Sequence, residues 1–409
     1  MNIRKISALI LASCLAVLPA GCAAADPDLA LVQTDIHTLT IPEQVQVVGL
    51  GEASHGTKEY QQLKAEIFQI LVENYGCRTF VLESDFGNAL AVDDYIHGGE
   101  GTAEEAAVQI GFRIYRTAEM AALLDWMRAY NETAPEGTDL HFYGMDMQSA
   151  DNSKAYLFRI LEQVDPDLCA SYQERFAFLN DTDMFDLSTD AFAQGLPDAE
   201  KLIQDVDQAQ EQITETFDAE TFAFARECAV SIYNCCDIRK SDGDYNDVRD
   251  SHMTEKVLWF LEHGDGSPVF ISGHNGHIGK SNFTLYYDCL GKRLSEQLGD
   301  RYFAIGTDAR STAFNSQTAE GFDEKNVENK NDLNALAAKT ENGRYYIDLA
   351  AASKDSRWQK ILSKKQRLTT LNVGSITFLK MFCTSKIVPL DTFDAMIVYD
   401  TVAPTTMNP

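Results

Sequence analysis

Apolar and polar positions along the chain alternate between two rhythms. Short, nearly continuous apolar runs stand at "VQVVGL" (45–50), "RTFVLE" (78–83), "LHFYG" (140–144), "PVFIS" (268–272) and "RYFAIG" (301–306). Runs of this length and composition read as strands buried on both faces. Between them the spacing changes to that of a helix with one apolar stripe. Residues 57–75 carry Leu63, Ile67, Ile70 and Leu71 on one face. Residues 117–131 carry Met120, Leu123, Leu124 and Met127, and 244–262 carry Met253, Val257, Phe260 and Leu261. Residues 26–44 form a lead-in, and the C-terminal quarter is less regular, with strands expected at "YYIDL" and "FDAMIVYD". Strand–helix alternation predicts an α/β fold, with a mostly parallel sheet between two helical layers.

The alternation is interrupted between residues 150 and 243, where the text is acidic and helical, as in "DAEKLIQDVDQAQEQITETF". This predicts a helical insertion of three to five helices inside an α/β domain made of residues 26–149 and 244–409. Ahead of that domain, "MNIRK" is a basic start and "ISALILASCLAVLPA" an apolar core. Small residues then precede Cys22, which makes 1–22 a secretory signal peptide of the lipoprotein kind. The expectation is a secreted protein held at the cell surface by lipid on Cys22, with plain secretion as the alternative. No later segment reaches the ~18 apolar residues of a membrane span, so the lipid is the only membrane contact expected.

Charge narrows the partners. Asp and Glu number 62 against 34 Lys and Arg, for a net −28, which disfavours nucleic acid. Beyond Cys14 and Cys22, seven cysteines remain at irregular spacing with no C-x-x-C pair. Neither a cysteine zinc site nor a disulfide framework is expected, and the thiols read as buried and free.

Ligands of a parallel sheet bind beyond the carboxyl ends of its strands, so the residues following each strand matter most. Glu52 and His55 follow the first strand, Glu83 and Asp85 the second, Asp146 the third, "GHNGH" (273–277) the fourth, and Asp308 the fifth. If these ends form one rim, Glu52, His55, Glu83, His274 and His277 meet there, and such a gathering of titratable groups is typical of an active site.

Three chemistries compete. In "GEASHG", Ser54 has one residue too many before it for a G-x-S-x-G nucleophile elbow; capping the helix that starts near Gly56 is the better reading. A zinc site is a second option, although the "GHNGH" histidines stand three apart in a glycine-rich stretch rather than four apart on a helix. The third is metal-free acid/base work, with His55 as base, Glu52 or Glu83 as its carboxylate partner, and His274 or His277 as proton donor to a leaving alkoxide. His37, His97, His141 and His263 read as structural. Glu83 pairing with Arg113 or Arg116, and Arg249–Asp250 as a helix-surface pair, are the plainer readings of those residues; inward-facing Met253 makes a cleft-facing Arg249 equally consistent.

"VVGLGEASHGTKEY", "FVLESDFGNALAVDDYI", "GFRIYRTAEMAALLDWMRAYN", "HFYGMD", "DVRDSHM" and "VFISGHNGHIGK" occur in this order. Over residues 45–310 the chain thereby resembles the erythromycin esterase family, with a looser echo at "FDAMIVYD". The resemblance implies an α/β/α sandwich with a helical subdomain and ester or macrolide-lactone hydrolysis by a histidine-activated water, with no metal or other cofactor. Carried over by position, His55 is the general base, Glu52 and Glu83 its carboxylate partners, and His274 and His277 the second histidine group. Arg249 with Asp250 matches the preceding block, Asp146 joins them in binding substrate, and Arg113 or Arg116 stabilises charge. One departure is the glycine beside each histidine in "SGHNGH", where the family more often has alanine; glycine there adds backbone freedom.

Overall fold

A computed structural model describes residues 31–240, 243–372 and 383–408. The expected leader, Cys22 included, lies outside the described residues. The central sheet runs in the order β3-β2-β4-β1-β5-β10-β7, with a further strand, β6, paired to β5. Its members are β1 (Val47–Glu52), β2 (Thr79–Asp85), β3 (His141–Asp146), β4 (Val269–His274), β5 (Tyr302–Gln317), β6 (Phe322–Glu328), β7 (Arg344–Asp348) and β10 (Ala395–Val402). β8 (Gln366–Thr369) and β9 (Thr384–Ile387) pair separately. All neighbours are parallel except β7 against β10 and β6 against β5. This is the α/β fold with a mostly parallel sheet expected from the alternation.

Strand residues divide strictly between two cores. Val47, Val81, Met145, Ile271, Ala304 and Val398 face one layer; Val48, Phe80, Phe142, Phe270, Phe303 and Ile397 face the other. Burial on both faces is why these strands read as unbroken apolar runs rather than as alternation. One layer is built on α1 (Lys58–Tyr75), α2 (Phe86–Ile96), α3 (Ala103–Gln109) and α4 (Ala118–Asn131). The other takes the five described helices of the 150–243 stretch: α5 (Asp151–Val164), α6 (Pro166–Arg175), α7 (Thr189–Gln208), α8 (Gln210–Thr216) and α9 (Ala219–Asp237). They are followed by α10 (Tyr245–His263), the single turn α11 (Asn275–Ile278) and α12 (Leu290–Leu298). Leu157, Leu202 and Ile232 of the five helices share one core with Val81 and Met145 of the sheet. The seven later cysteines are free and buried.

Two local readings change. β5 runs on through Asp308 for 16 residues and turns into the hairpin with β6. Asp308 is therefore inside a strand and not on the rim: it is buried, with Asn329, Asn331 and Asn334 donating to Oδ2. Ser54 does not cap α1. The helix begins at Lys58 with Thr57 in the N-cap position, and Ser54 is buried with a hydroxyl that meets no partner. The turn is held by its neighbours instead: Leu371 N donates to Ala53 O, and Gly56 O accepts from Asn315 and Thr405.

Candidate active site

Strand order decides the site. β3, β2, β4 and β1 are consecutive neighbours, so their carboxyl ends form one row carrying Asp146, Glu83, His274 and Glu52. The ends are in register, Glu52 opposite His274 and Asp85 opposite Asp146. At ~4.8 Å per strand the row spans about 15 Å, a width two or three side chains can close over.

The rim is braced by bonds between strands. The His274 backbone N–H donates to Glu83 Oε2 at 2.7 Å, which locks β4 to the β2 carboxylate. The Asn275 side chain exchanges bonds with the Thr307 backbone at 2.7 and 3.2 Å, and passes so close to β1 that a Cβ on Gly51 would stand 2.3 Å from its Oδ1. A Cβ on Gly273 would stand 2.8 Å from Glu83 Oε2. Gly273 thus makes room for the carboxylate within a paired strand, rather than loosening a loop.

His55 follows β1 after two residues, Ala53 and Ser54, and its Nδ1 lies 2.8 Å from Glu52 Oε1. A carboxylate only accepts, so Nδ1 carries the proton and Nε2 keeps its lone pair. On its other oxygen Glu52 receives Lys64 Nζ at 2.5 Å and Gln61 Nε2 at 3.3 Å. Burial favours the neutral acid, but Lys64 and then His55 outweigh it and hold Glu52 below the usual carboxylate value. Burial also pulls Lys64 below the ordinary lysine value, against the opposing pull of Glu52.

The ring of His274 stands 5.2 Å from that of His55, tilted by 40°. Its Nδ1 accepts the Gly276 N–H at 3.2 Å, so the neutral ring carries its hydrogen on Nε2, a buried atom with no partner. Burial, then the nearby His55, push His274 down to about 3, and it is neutral at ordinary pH. His277 is the opposite case. Burial works against its charge, yet Asp250 (2.8 Å from Nδ1) and Glu83 (3.3 Å from Nε2) lift it to about 10. Burial likewise favours a neutral Glu83, but His277 and Arg249 hold it well below its usual value.

Arg249, on the inner face of α10, ties the row together. Its guanidinium forks onto Asp146 at 2.9 and 2.6 Å and reaches Glu83 Oε1 at 2.9 Å. It is therefore a cleft residue and not a surface charge. Beneath it, burial and the charge of Asp146 push Asp85 up to about 7. Asp146 is fully enclosed, whereas His55 and His277 each keep 9 % exposure, so these two imidazoles lie nearest the solvent edge.

Arg113 and Arg116 are not brought to this cluster. Arg113 stacks 5.3 Å over the Phe322 ring, and Arg116 points to the Gly111 carbonyl. Among the described residues, neither forms a hydrogen bond or ion pair with a group of the cleft. The segment that holds them instead presents Tyr115, whose ring meets His55 edge-on at 6.5 Å and whose buried hydroxyl has no partner. Glu83 accordingly pairs with Arg249 and not with either of them.

The family model for erythromycin esterase matches residues 72–402. This chain belongs to the erythromycin esterase family. It is an esterase-type hydrolase, as its relatives' names agree: it is 26 % identical over 309 residues to erythromycin esterase type II of Escherichia coli, covering 67 % of this chain and 70 % of the relative. It is 23 % identical to the putative hydrolase YbfO of Bacillus subtilis strain 168, over 66 % of each chain. In fold it is similar to a Bacillus cereus protein (TM-score 0.78, 24 % identity, 90 % and 91 % of the two chains covered). It is also similar to the open conformation of an erythromycin esterase point mutant (TM-score 0.66, 16 % identity, 89 % and 93 % covered). The family match begins within α1, after Glu52 and His55, so the first wall of the cleft rests on this chain's own geometry.

Sequence reasoning missed Lys64 and Tyr115 in this family member. Both left a signal. Lys64 occupies the apolar stripe of α1, four residues after Tyr60 and three before Ile67, where a charge is buried and needs a partner. Tyr115 sits within "GFRIYR", a stretch from which only the arginines were singled out.

Proposed function

We propose that this hydrolase cleaves a carboxylic ester, in the form of a macrolide-like lactone, by attack of a water deprotonated at His55. One observation carries the reading: His55 Nδ1 bonds to a Glu52 that Lys64 keeps anionic, which turns the basic Nε2 toward the open side. Water gives its proton to Nε2 while its oxygen attacks the carbonyl carbon, and the carbonyl electron pair moves to oxygen. The oxyanion meets donors with no other partner, His274 Nε2–H and the Tyr115 hydroxyl, where each such donor is worth roughly 10²–10³ in rate. As the C–O bond breaks, the proton returns from His55 to the alkoxide. His274 is neutral, and both nitrogens of His277 are engaged by Asp250 and Glu83, so neither replaces His55 as the acid. What supports a metal-free mechanism is that Lys64 and Arg249 already stand on the two carboxylates, Glu52 and Glu83, that a cation would need.

A cavity of about 470 Å³ is lined by Asp244, Tyr245, Asn246, Asp247, Tyr287 and Asp288, on the α10 side of Asp250. Burial first, then the charge of Asp250 and, further down, that of Glu83 raise the Tyr287 hydroxyl. Leu285 and Tyr286, 100 % and 92 % exposed, give this otherwise polar and acidic cavity an apolar edge. The basic start, apolar core and small residues ahead of Cys22 support secretion with a lipid tether on Cys22, with plain secretion as the alternative, and loss of palmitate labelling in Cys22→Ala would check it. The catalytic test is mass spectrometry of macrolides and simple lactones for gain of one water, with wild type and His55→Ala, with and without chelator. His55→Ala should lose ~10²–10⁴ in kcat/KM and chelator should change nothing; full turnover by the variant removes the assigned base.

A further inference from the structure

Away from the cleft, Asp93, His97 and His141 bring one ring nitrogen from each imidazole and a carboxylate oxygen within 4.8 Å of one another. Among the described residues this is the one group of three or more histidine, cysteine and acidic side chains so arranged. The two histidines are far apart in sequence, and the sequence alone does not join them. The fold joins them: Asp93 and His97 are one turn apart at the end of α2, and His141 opens the adjacent β3. Their rings lie 4.9 Å apart.

The geometry points to a divalent transition-metal site at Asp93, His97 and His141, taking zinc or an ion of similar softness. Each imidazole already stands at ligand spacing from one oxygen of the Asp93 carboxylate, His97 from Oδ2 and His141 from Oδ1. His97 Nδ1 and His141 Nδ1 lie 3.5 and 3.6 Å from the Asp93 carboxylate oxygens. Ligands at ~2.0–2.2 Å from a tetrahedral ion are about 3.4 Å apart, so an ion fits between each nitrogen and the carboxylate with little movement. The third side of the ligand triangle closes as His97 exchanges its bond to the Asp93 carbonyl at 2.7 Å, and His141 Nδ1 its 3.1 Å contact with the Tyr143 hydroxyl, for the metal. The Asp93 carboxylate is oriented by the Phe142 N–H at 2.8 Å, the kind of supporting bond that fixes a metal ligand. Two imidazoles and a carboxylate suit zinc, cobalt or nickel better than the all-oxygen shell of magnesium or calcium. Glu220 on α9 borders the same groove of about 560 Å³ as Asp93 and His97 but lies outside the three-ligand group, so water fills the fourth position.

The site is independent of the proposed catalysis. His141 is the first residue of β3 and Asp146 the last, which puts the metal about 16 Å from the catalytic row, at ~3.3 Å per residue. Metal here ties α2 to β3 without touching the ester. The test titrates full-length protein with zinc chloride by calorimetry, and with cobalt by visible absorption, for wild type, His97→Ala, His141→Ala and His55→Ala. The expected result is one zinc per wild-type chain, a tetrahedral cobalt spectrum, affinity weakened by roughly tenfold or more in His97→Ala and His141→Ala, and no weakening in His55→Ala. Zinc should raise the melting temperature of wild type but not of the two site variants. Lactone turnover should be the same in all but His55→Ala, so failure here is separable from failure of the esterase reading. No saturable uptake, equal uptake by the site variants, or uptake abolished in His55→Ala would overturn the assignment.

Discussion

Glu52→Gln tests the cleft most severely, because Glu52 holds two partners at once. The carboxylate receives Lys64 at 2.5 Å on one oxygen and His55 at 2.8 Å on the other, with the Lys64 and Glu52 side chains only 1 % and 2 % exposed. Substitution by glutamine keeps the shape but removes the charge. Lys64 is then a buried ammonium without a counter-ion, at a cost of about 3–5 kcal/mol. His55 loses the anion that stabilises its imidazolium, and kcat/KM should fall by roughly 10²–10⁴, or about 3–5.5 kcal/mol of barrier. The two losses have different causes and can be separated. Adding Lys64→Met removes the orphaned charge, so the double variant should regain most of the lost stability, whereas its activity should stay low. Urea unfolding and lactone hydrolysis, measured on wild type, both single variants and the double, give the full cycle. A double variant no more stable than Glu52→Gln, or a Glu52→Gln enzyme with wild-type turnover, would refute the paired role of Glu52.

Tyr115→Phe should leave stability within ~0.5 kcal/mol, since the buried hydroxyl has no partner to lose, yet lower kcat by roughly 10²–10³ at a similar KM; unchanged kcat means that the hydroxyl meets no oxyanion. Arg249→Met strands Asp146 and Glu83 and should cost about 3–5 kcal/mol. Arg249→Lys should recover only part of it, because an ammonium cannot make the fork onto Asp146; unfolding curves of lysine variant and wild type that coincide would contradict this. His277 holds its proton up to about 10 when folded, against ~6.5 unfolded. Its contribution is therefore fully present below the unfolded value and is lost as pH rises through the folded one. Stability should decline across that window with a slope approaching ~1.4 kcal/mol per pH unit, a limb that His277→Gln should flatten in pH-dependent unfolding.

Legibility followed the range of the forces involved. Glu52 and His55 form a contact three residues apart and could be named together. The strands announced themselves because burial on both faces leaves an unbroken apolar run. β6 did not, since its exposed "FDEKNVE" carries its side chains into solvent and gains its place only by pairing with β5. Asp308 was misplaced for a related reason: β5 outruns its apolar stretch, so the polar residue that marks the end of a short strand stands here in the middle of a long one. Arg249 was ambiguous on paper, because α10 has charges around most of its circumference and only the docked helix shows which side meets Asp146.

By itself the sequence determined the class of fold, the helical stretch between the third and fourth strands, the acidic balance that disfavours nucleic acid, and the membership of His55, Glu52, Glu83 and the "GHNGH" histidines in one chemical repertoire. Those follow from periodicity, composition and local spacing, which are properties of neighbouring residues. Only the tertiary structure decided that β3, β2, β4 and β1 lie side by side, and with that, which acid meets which base. Strand order is set by how two helical layers cover the sheet, a balance of burial over the whole chain that no stretch of it encodes. The same docking makes one cleft histidine neutral and another cationic, because desolvation and ion pairing depend on what is packed alongside and not on what comes next along the chain.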